Sequence, residues 1–236
     1  MVNCNLLFSR QRCWFCLDVV SADSAPLCKG CLAHLPVRPS HYCQRCALPL
    51  PGAALCSECA ATPPAFICAH IPLIYDRQTA RLVEPIKRQA HSAALPLLAK
   101  LCAQLLQQRS GQPPLQLVGI PLHPRRALQR GFSQATLLAR LIAPLCAGSA
   151  TLGSAIQLQR LHHQAPQKGQ NRQQRLTNSH GNFAAGEVVG LHIGLVDDVV
   201  TTTATARSAA AALMAAGAAS VELIAAVRTP KPNSRR

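Results

Sequence analysis

Residues 195–205 read LVDDVVTTTAT, and few local structures accommodate that order of residue types. An apolar run, His192 to Val196, ends in two adjacent carboxylates, Asp197 and Asp198. Two valines follow, then Thr201, Thr202, Thr203 and Thr205, and then an alanine-rich helical segment, Ala206 to Ala216, closed by Gly217. A buried strand, a polar turn and a helix N-terminus is the layout by which α/β proteins hold a phosphate. The unpaired N–H groups at a helix start carry partial positive charge, and threonine hydroxyls add donors. Paired carboxylates at a strand end suit a metal ion or sugar hydroxyls. A plainer reading, in which Asp198 or a threonine only caps the helix, leaves the doubled charge unexplained. The chain has nine acidic residues in all, and two side by side at the end of an apolar run are costly without a cation or polyol to face.

A second constraint lies at the other end. Cys13-x2-Cys16, Cys28-x2-Cys31, Cys43-x2-Cys46 and Cys56-x2-Cys59 are four CxxC pairs separated by eleven, eleven and nine residues. Two such pairs complete a tetrahedral Cys4 zinc site, so eight cysteines fill two. Consecutive pairing is the simplest assignment, and interleaved pairing is compatible with the same spacing. Cys4, Cys68, Cys102 and Cys146 fit no pair and read as small hydrophobes or free thiols. A segment this short and this poor in large apolar residues needs metal binding for its folding energy, which makes the zinc structural. Trp14, Phe15 and Tyr42 flank the knuckles, where they pad the metal site or offer faces to bases. The N-terminal MVNCNLLFSRQRC has no long apolar core, so a cytoplasmic, reducing setting is expected rather than a disulfide framework. Ala209 to Val221 is apolar but too short for a membrane span.

Charge sorts the partners. The net charge is +15, and from Pro85 to Gly186 there are twelve Lys/Arg and no Asp or Glu. An uncompensated basic block of that length implies a polyanionic partner, either nucleic acid or a polyphosphorylated substrate. Thr62-Pro63-Pro64 reads as a linker, Phe66 to Tyr75 as an edge strand, and Gln78 to Leu106 as helix broken by Pro85 and Pro96. Leu115 to Pro121 reads as a buried strand leading into Arg125, Arg126 and Arg130, a candidate anion site before a helix from Ala135 to Leu145. Val221 to Val227 reads as a last strand, followed by a basic tail from Thr229.

Two stretches carry a resemblance. LVDDVVTTTAT resembles the PRPP-binding motif of the type I phosphoribosyltransferases. There the acids face the ribose 2′- and 3′-hydroxyls and the loop wraps the 5′-phosphate. The resemblance assigns the first role, and any catalytic one, to Asp197 and Asp198, and the second to Thr201, Thr202, Thr203, Ala204 and Thr205. Thr203 stands where that family usually has glycine, the residue that takes φ > 0 freely. Residues 120–134, IPLHPRRALQRGFSQ, are similar to the "VPLH…R…RGFNQ" signature of the ComF/GntX family, with Ser133 for the usual Asn. That bacterial family, linked to DNA uptake or use, joins a cysteine-rich zinc module to a phosphoribosyltransferase-like domain. By position, Arg125, Arg126 and Arg130 would receive pyrophosphate, or alternatively a nucleic-acid phosphate. Gln167, Gly169, Arg175, Asn178 and Phe183 match the family's lid segment, with Gln170 in place of the usual Leu.

The expected fold is therefore α/β and type I phosphoribosyltransferase-like: a mostly parallel sheet flanked by helices, over residues 65–236, preceded by a double zinc-knuckle module over residues 1–64. The implied cofactors are structural Zn²⁺ and Mg²⁺ with PRPP. The implied partners are PRPP, single-stranded DNA and other DNA-uptake proteins. The implied function is PRPP binding in DNA uptake or utilization, with turnover, if any, as a phosphoribosyltransferase. The alternative is a nucleic-acid-binding zinc protein that keeps the PRPP fold as scaffold or sensor. No general base and no aromatic platform near the motif marks an acceptor-base pocket.

Overall fold

The computed structural model describes residues 11–20, 26–146, 148–161 and 182–231, and the chain divides into two units, Met1–Leu35 and Pro36–Arg236. Gln167, Gly169, Gln170, Arg175 and Asn178 of the expected lid lie outside the described residues. In the first unit a knuckle around Cys13 and Cys16 is closed by the bridge Arg12↔Val19 and faces the short helix α1, Lys29–Ala33.

In the second unit the two longest apolar runs become the centre of a parallel sheet. Strands β7 (His192–Val200) and β8 (Ser220–Arg228) pair from His192↔Ser220 to Val200↔Arg228. Every residue of β8 after Ser220 is buried, as a parallel strand covered on both faces must be. Strand β3 (Leu115–Gly119) lies on the other side of β7, and β4 (Ala150–Leu152) lies beyond β3. The expected edge strand is two short pieces, β1 (Ala69–His70) and β2 (Leu73–Ile74), both parallel to β8. The split falls at Ile71-Pro72, where proline offers no N–H to a ladder. The order is β1-β8-β7-β3-β4, with β2 also on β8. A separate antiparallel ribbon joins β5 (Leu158–Arg160) to β6 (Phe183–Ala185).

Neither proline marks a helix boundary. Helix α3 (Arg77–Arg88) opens on a full capping box between Asp76 and Thr79 and contains Pro85 near its end. Helix α4 (Ala94–Leu106) has Pro96 in its first turn, where the missing N–H has no intrahelical acceptor to lose. The break lies between them, at residues 89–93. Two further helices carry the chain from strand to strand: α6 (Gln134–Ile142) links β3 towards β4, and α7 (Ala204–Ala215) links β7 to β8. Gly119 lets the start of α6 come so near β3 that a Cβ there would stand 2.5 Å from the Thr136 nitrogen.

That connectivity locates the crevice. From β3 the chain crosses outward to β4, and from the adjacent β7 it crosses the other way to β8. Right-handed crossovers in opposite directions put α6 and α7 on opposite faces. Between the C-terminal ends of β3 and β7 the strand order reverses, and open α/β sheets bind ligands at such a point. Asp197 and Asp198 lie near the C-terminal end of β7 and residues 201–203 follow its end, while residues 120–130 follow the end of β3. No helix among the described residues is long and apolar enough to cross a membrane.

Candidate functional site

The sequence places Asp197 and Asp198 at a strand end, and β7 in fact continues past them to Val200 because Val199 pairs with Val227 and Val200 with Arg228. Both carboxylates are half-buried. Each accepts from the next backbone N–H: Asp198 N–H to Asp197 Oδ1 at 2.9 Å, and Val199 N–H to Asp198 Oδ1 at 2.9 Å. Burial, then the neighbouring Asp198 carboxylate, pushes Asp197 well above the usual carboxylate range, and Arg160 pulls it back only in part. A cation or a diol is what such a pair lacks.

Arg160, on β5, is a candidate site residue that sequence reading did not single out. Burial lowers its guanidinium, the charge of Arg126 adds to this, and Asp197 opposes it. Its guanidinium lies 5.4 Å from the centre of the Phe183 ring. Arg126 belongs to an unexpected helix, α5 (Pro124–Arg130), which carries all three candidate arginines. Its ends obey local rules: Pro124 in the first turn, the His123 ring accepting from Arg125 N–H at 3.2 Å, and Gly131 left-handed at φ 73°. Arg125, Arg126 and Arg130 are all exposed.

The turn after β7 pivots on Thr203, which caps α7 at φ 60°, ψ −7° and makes no side-chain capping bond to the helix. The left-handed region costs an L-residue about 1–2 kcal/mol, so the conformation that glycine takes freely is held here by a β-branched residue. Its hydroxyl explains how it is held: it accepts from Arg207 Nε at 3.0 Å and lies 3.4 Å from Glu58 Oε1. The first-turn N–H groups of α7 are left for an outside acceptor. Thr203→Gly should lie within about 1 kcal/mol of wild type in urea unfolding, since relief of strain offsets the lost hydroxyl. Thr203→Val keeps the strain and strands the Arg207 donor, so it should cost about 1–3 kcal/mol. Equal losses in the two variants would contradict this account of the turn.

The eight paired cysteines form two clusters, Cys13/Cys16/Cys28/Cys31 and Cys43/Cys46/Cys56/Cys59, with sulfurs within 4.8 Å of one another in each. Cys16 and Cys28 sulfurs are 3.6 Å apart, and Cys46 and Cys56 sulfurs 3.8 Å. A tetrahedral site with Zn–S of about 2.3 Å needs sulfurs about 3.8 Å apart, so both clusters fit structural zinc. The local fold repeats: left-handed residues, Leu17 at φ 68° and Ala47 at φ 56°, follow the first CxxC of each. Amides of Cys31 in α1 and of Cys59 in the matching short helix α2 (Ser57–Ala61) donate to the sulfurs of Cys28 and Cys56. The Tyr42 face is covered by the Arg38 guanidinium, 3.9 Å from the ring centre, which favours padding over base stacking. Cys102 and Cys146 are buried and donate to backbone carbonyls, and Cys4 lies outside the described residues. Cys68, His70 and Glu222 also cluster, but Arg109 takes both Glu222 oxygens, at 2.7 and 2.9 Å. A guanidinium in that position opposes a metal cation, and the group is an ion-pair network instead.

The second cysteine cluster is fastened to the turn at residues 201–203. Arg207, on α7, donates from Nη2 to Cys59 Sγ at 3.5 Å and from Nη1 to Thr62 O at 2.7 Å, besides its bond to Thr203. Arg228, at the end of β8 and 1% exposed, donates to Cys46 O, Val200 O, Thr201 O and Thr229 O, and lies 4.0 Å from Cys46 Sγ. A lone charge at the end of the otherwise apolar LIAAVR stretch was the available signal.

Comparison with known proteins agrees with this arrangement. Residues 4–60 match the double zinc ribbon domain. The chain is 31% identical over 223 residues to "DNA utilization protein YhgH" of Salmonella typhi, and equally to that of Salmonella typhimurium, covering 92% of this chain and 96% of theirs. It is 28% identical to the protein of the same name from Escherichia coli K12, over the same shares. With that identity sustained over nearly the full length of both chains, and with a zinc ribbon ahead of a parallel α/β sheet, the chain belongs to the ComF/GntX family.

Proposed function

We propose that the chain binds PRPP, with Mg²⁺, at the crevice between β3 and β7, and that it serves the uptake or utilization of DNA. One observation carries the reading. At the point where strand order reverses, two adjacent carboxylates are followed by a left-handed turn that presents the uncapped start of α7. The ribose diol would face Asp197 and Asp198, and the 5′-phosphate would sit in residues 201–205. Arg125, Arg126 and Arg130 would meet the pyrophosphate group, whose negative charge grows if the C1′ bond breaks. The DNA-utilization role rests on the names of the relatives, and free thiols fit a cytoplasmic setting. Calorimetric titration of PRPP with Mg²⁺ should give saturable heat that ribose 5-phosphate competes away. A flat titration would remove the sugar-phosphate reading.

A second reading, binding of single-stranded DNA, is favoured by the distribution of charge after folding. Within the acid-free stretch Lys87 pairs with Glu84 and Arg109 with Glu222, whereas Arg125, Arg126, Arg130 and Arg140 are all exposed. Such binding is electrostatic, so affinity for single-stranded DNA should fall steeply as salt rises. Affinity that ignores salt, or is absent, counts against it.

A further inference from the structure

Arg228 presents a physical problem. Its side chain is fully buried, and among the described residues its partners are four carbonyl oxygens and one sulfur, none of them a carboxylate. A buried guanidinium without an anion is expensive. The sulfur belongs to Cys46, and Cys43, Cys46, Cys56 and Cys59 together fit one zinc ion. Four thiolates on Zn²⁺ leave two units of negative charge. Arg228 beside Cys46, and Arg207 beside Cys59, lie where two positive charges would offset them, with Glu58 sharing Arg207 at 3.7 Å.

The same two guanidiniums shape the loop. Arg228 Nη1 holds Val200 O at 3.0 Å and Thr201 O at 2.6 Å, and Arg207 Nε holds the hydroxyl of the left-handed Thr203 at 3.0 Å. One end of each arginine touches the cysteine cluster and another touches the turn assigned to the 5′-phosphate.

We propose that Arg207 and Arg228 are positioning residues that couple the two sites: metal at Cys43/Cys46/Cys56/Cys59 orders the 201–203 turn, and a sugar phosphate in that turn retains the metal. The coupling rests on the sugar-phosphate reading above. Binding linkage makes it reciprocal, by a factor on the order of tenfold each way. Loss of an outer hydrogen bond to a metal ligand weakens the site by roughly 10–100-fold.

The test uses the full chain loaded with zinc, and follows zinc release to a chromogenic chelator with and without PRPP and Mg²⁺. PRPP should slow one release phase by about tenfold. In Arg207→Met, which keeps the aliphatic stem, one phase should quicken by roughly 10–100-fold without ligand. PRPP should no longer slow it, and the PRPP Kd should rise by about tenfold. Arg207→Lys, which keeps the charge without the fork, should fall between, and serves if the Met variant does not fold. PRPP that binds without changing zinc release overturns the coupling and leaves the sugar-phosphate reading standing. Absence of PRPP binding to the zinc-loaded wild type removes both. Unchanged release from Arg207→Met and Arg207→Lys without ligand overturns the role given to the arginine.

Discussion

Arg109→Leu is expected to lower the unfolding free energy by roughly 3–5 kcal/mol, because it leaves a buried carboxylate without its main partner. Glu222 is 1% exposed and receives Arg109 through two bonds, at 2.7 and 2.9 Å. His70 Nε2 lies 2.7 Å from Glu222 Oε2 on the other side. Arg109 also donates to the carbonyls of Pro113 and Ser149, so one side chain ties α4's end, β3's start and β8 together. Burial by itself would favour the neutral acid, yet the bonds from His70 and Arg109 overcome it and hold Glu222 down at about 2, against 4.5 for a free glutamate. A depressed carboxyl stabilises the fold fully above its unfolded value and loses that contribution as pH falls through its folded one. The window therefore runs from about 4.5 down to about 2, and on the order of 3 kcal/mol is lost across it. Urea unfolding of wild type and Glu222→Gln over this window isolates the effect, since acid release of zinc is common to both. Convergence of the two curves as pH falls supports the network. Parallel curves, or an Arg109→Leu variant within about 1 kcal/mol of wild type, would contradict it.

The second large effect is on binding. Asp197→Asn with Asp198→Asn is expected to weaken PRPP by roughly 100-fold or more, because hydrogen bonds to charged groups contribute about 1.5–3 kcal/mol each and, in the proposed binding mode, two carboxylates would face the diol. Asparagine Oδ1 can still accept from Asp198 N–H and Val199 N–H, so the local backbone keeps its bonds. Stability should hold or rise, since burial and the neighbouring carboxylate already act against Asp197 as an anion. Loss of binding with the fold retained separates a ligand-facing pair from a structural one. Equal heats in wild type and the double variant would leave the pair without a role in binding.

The arrangement of the candidate site was legible in large part because it is local. An apolar run, two acids and a threonine turn needed no tertiary information, and glycine at the Thr203 position in the resembling family anticipated its left-handed backbone. The regular CxxC spacing likewise announced Cys4 chemistry, because a tetrahedral ion fixes how ligands pair. Long-range contacts were not legible in this way. Nothing near Arg207 in an alanine-rich helix says that it reaches Cys59 and Thr62, far away in sequence. Glu222 and Arg228 gave a partial signal, being charges inside a strand that must be buried on both faces. Helix α5 was missed although Pro124, His123 and Gly131 are sound cap residues, because its seven residues bury nothing and show no periodicity. The break between α3 and α4 falls at residues 89–93 rather than at either proline: Pro96 sits in a first turn, whereas Pro85 stays inside α3 at the cost of one backbone hydrogen bond.

The central claim is that the turn after Asp197 and Asp198 holds the phosphate of a sugar. A crystal structure of the zinc-loaded protein grown with PRPP and Mg²⁺ tests it most directly. The expected density has the 5′-phosphate within hydrogen-bond reach of the backbone N–H groups of residues 202–205 and the ribose hydroxyls against the two carboxylates. An empty turn at saturating PRPP, or phosphate density elsewhere on the molecule, would contradict it.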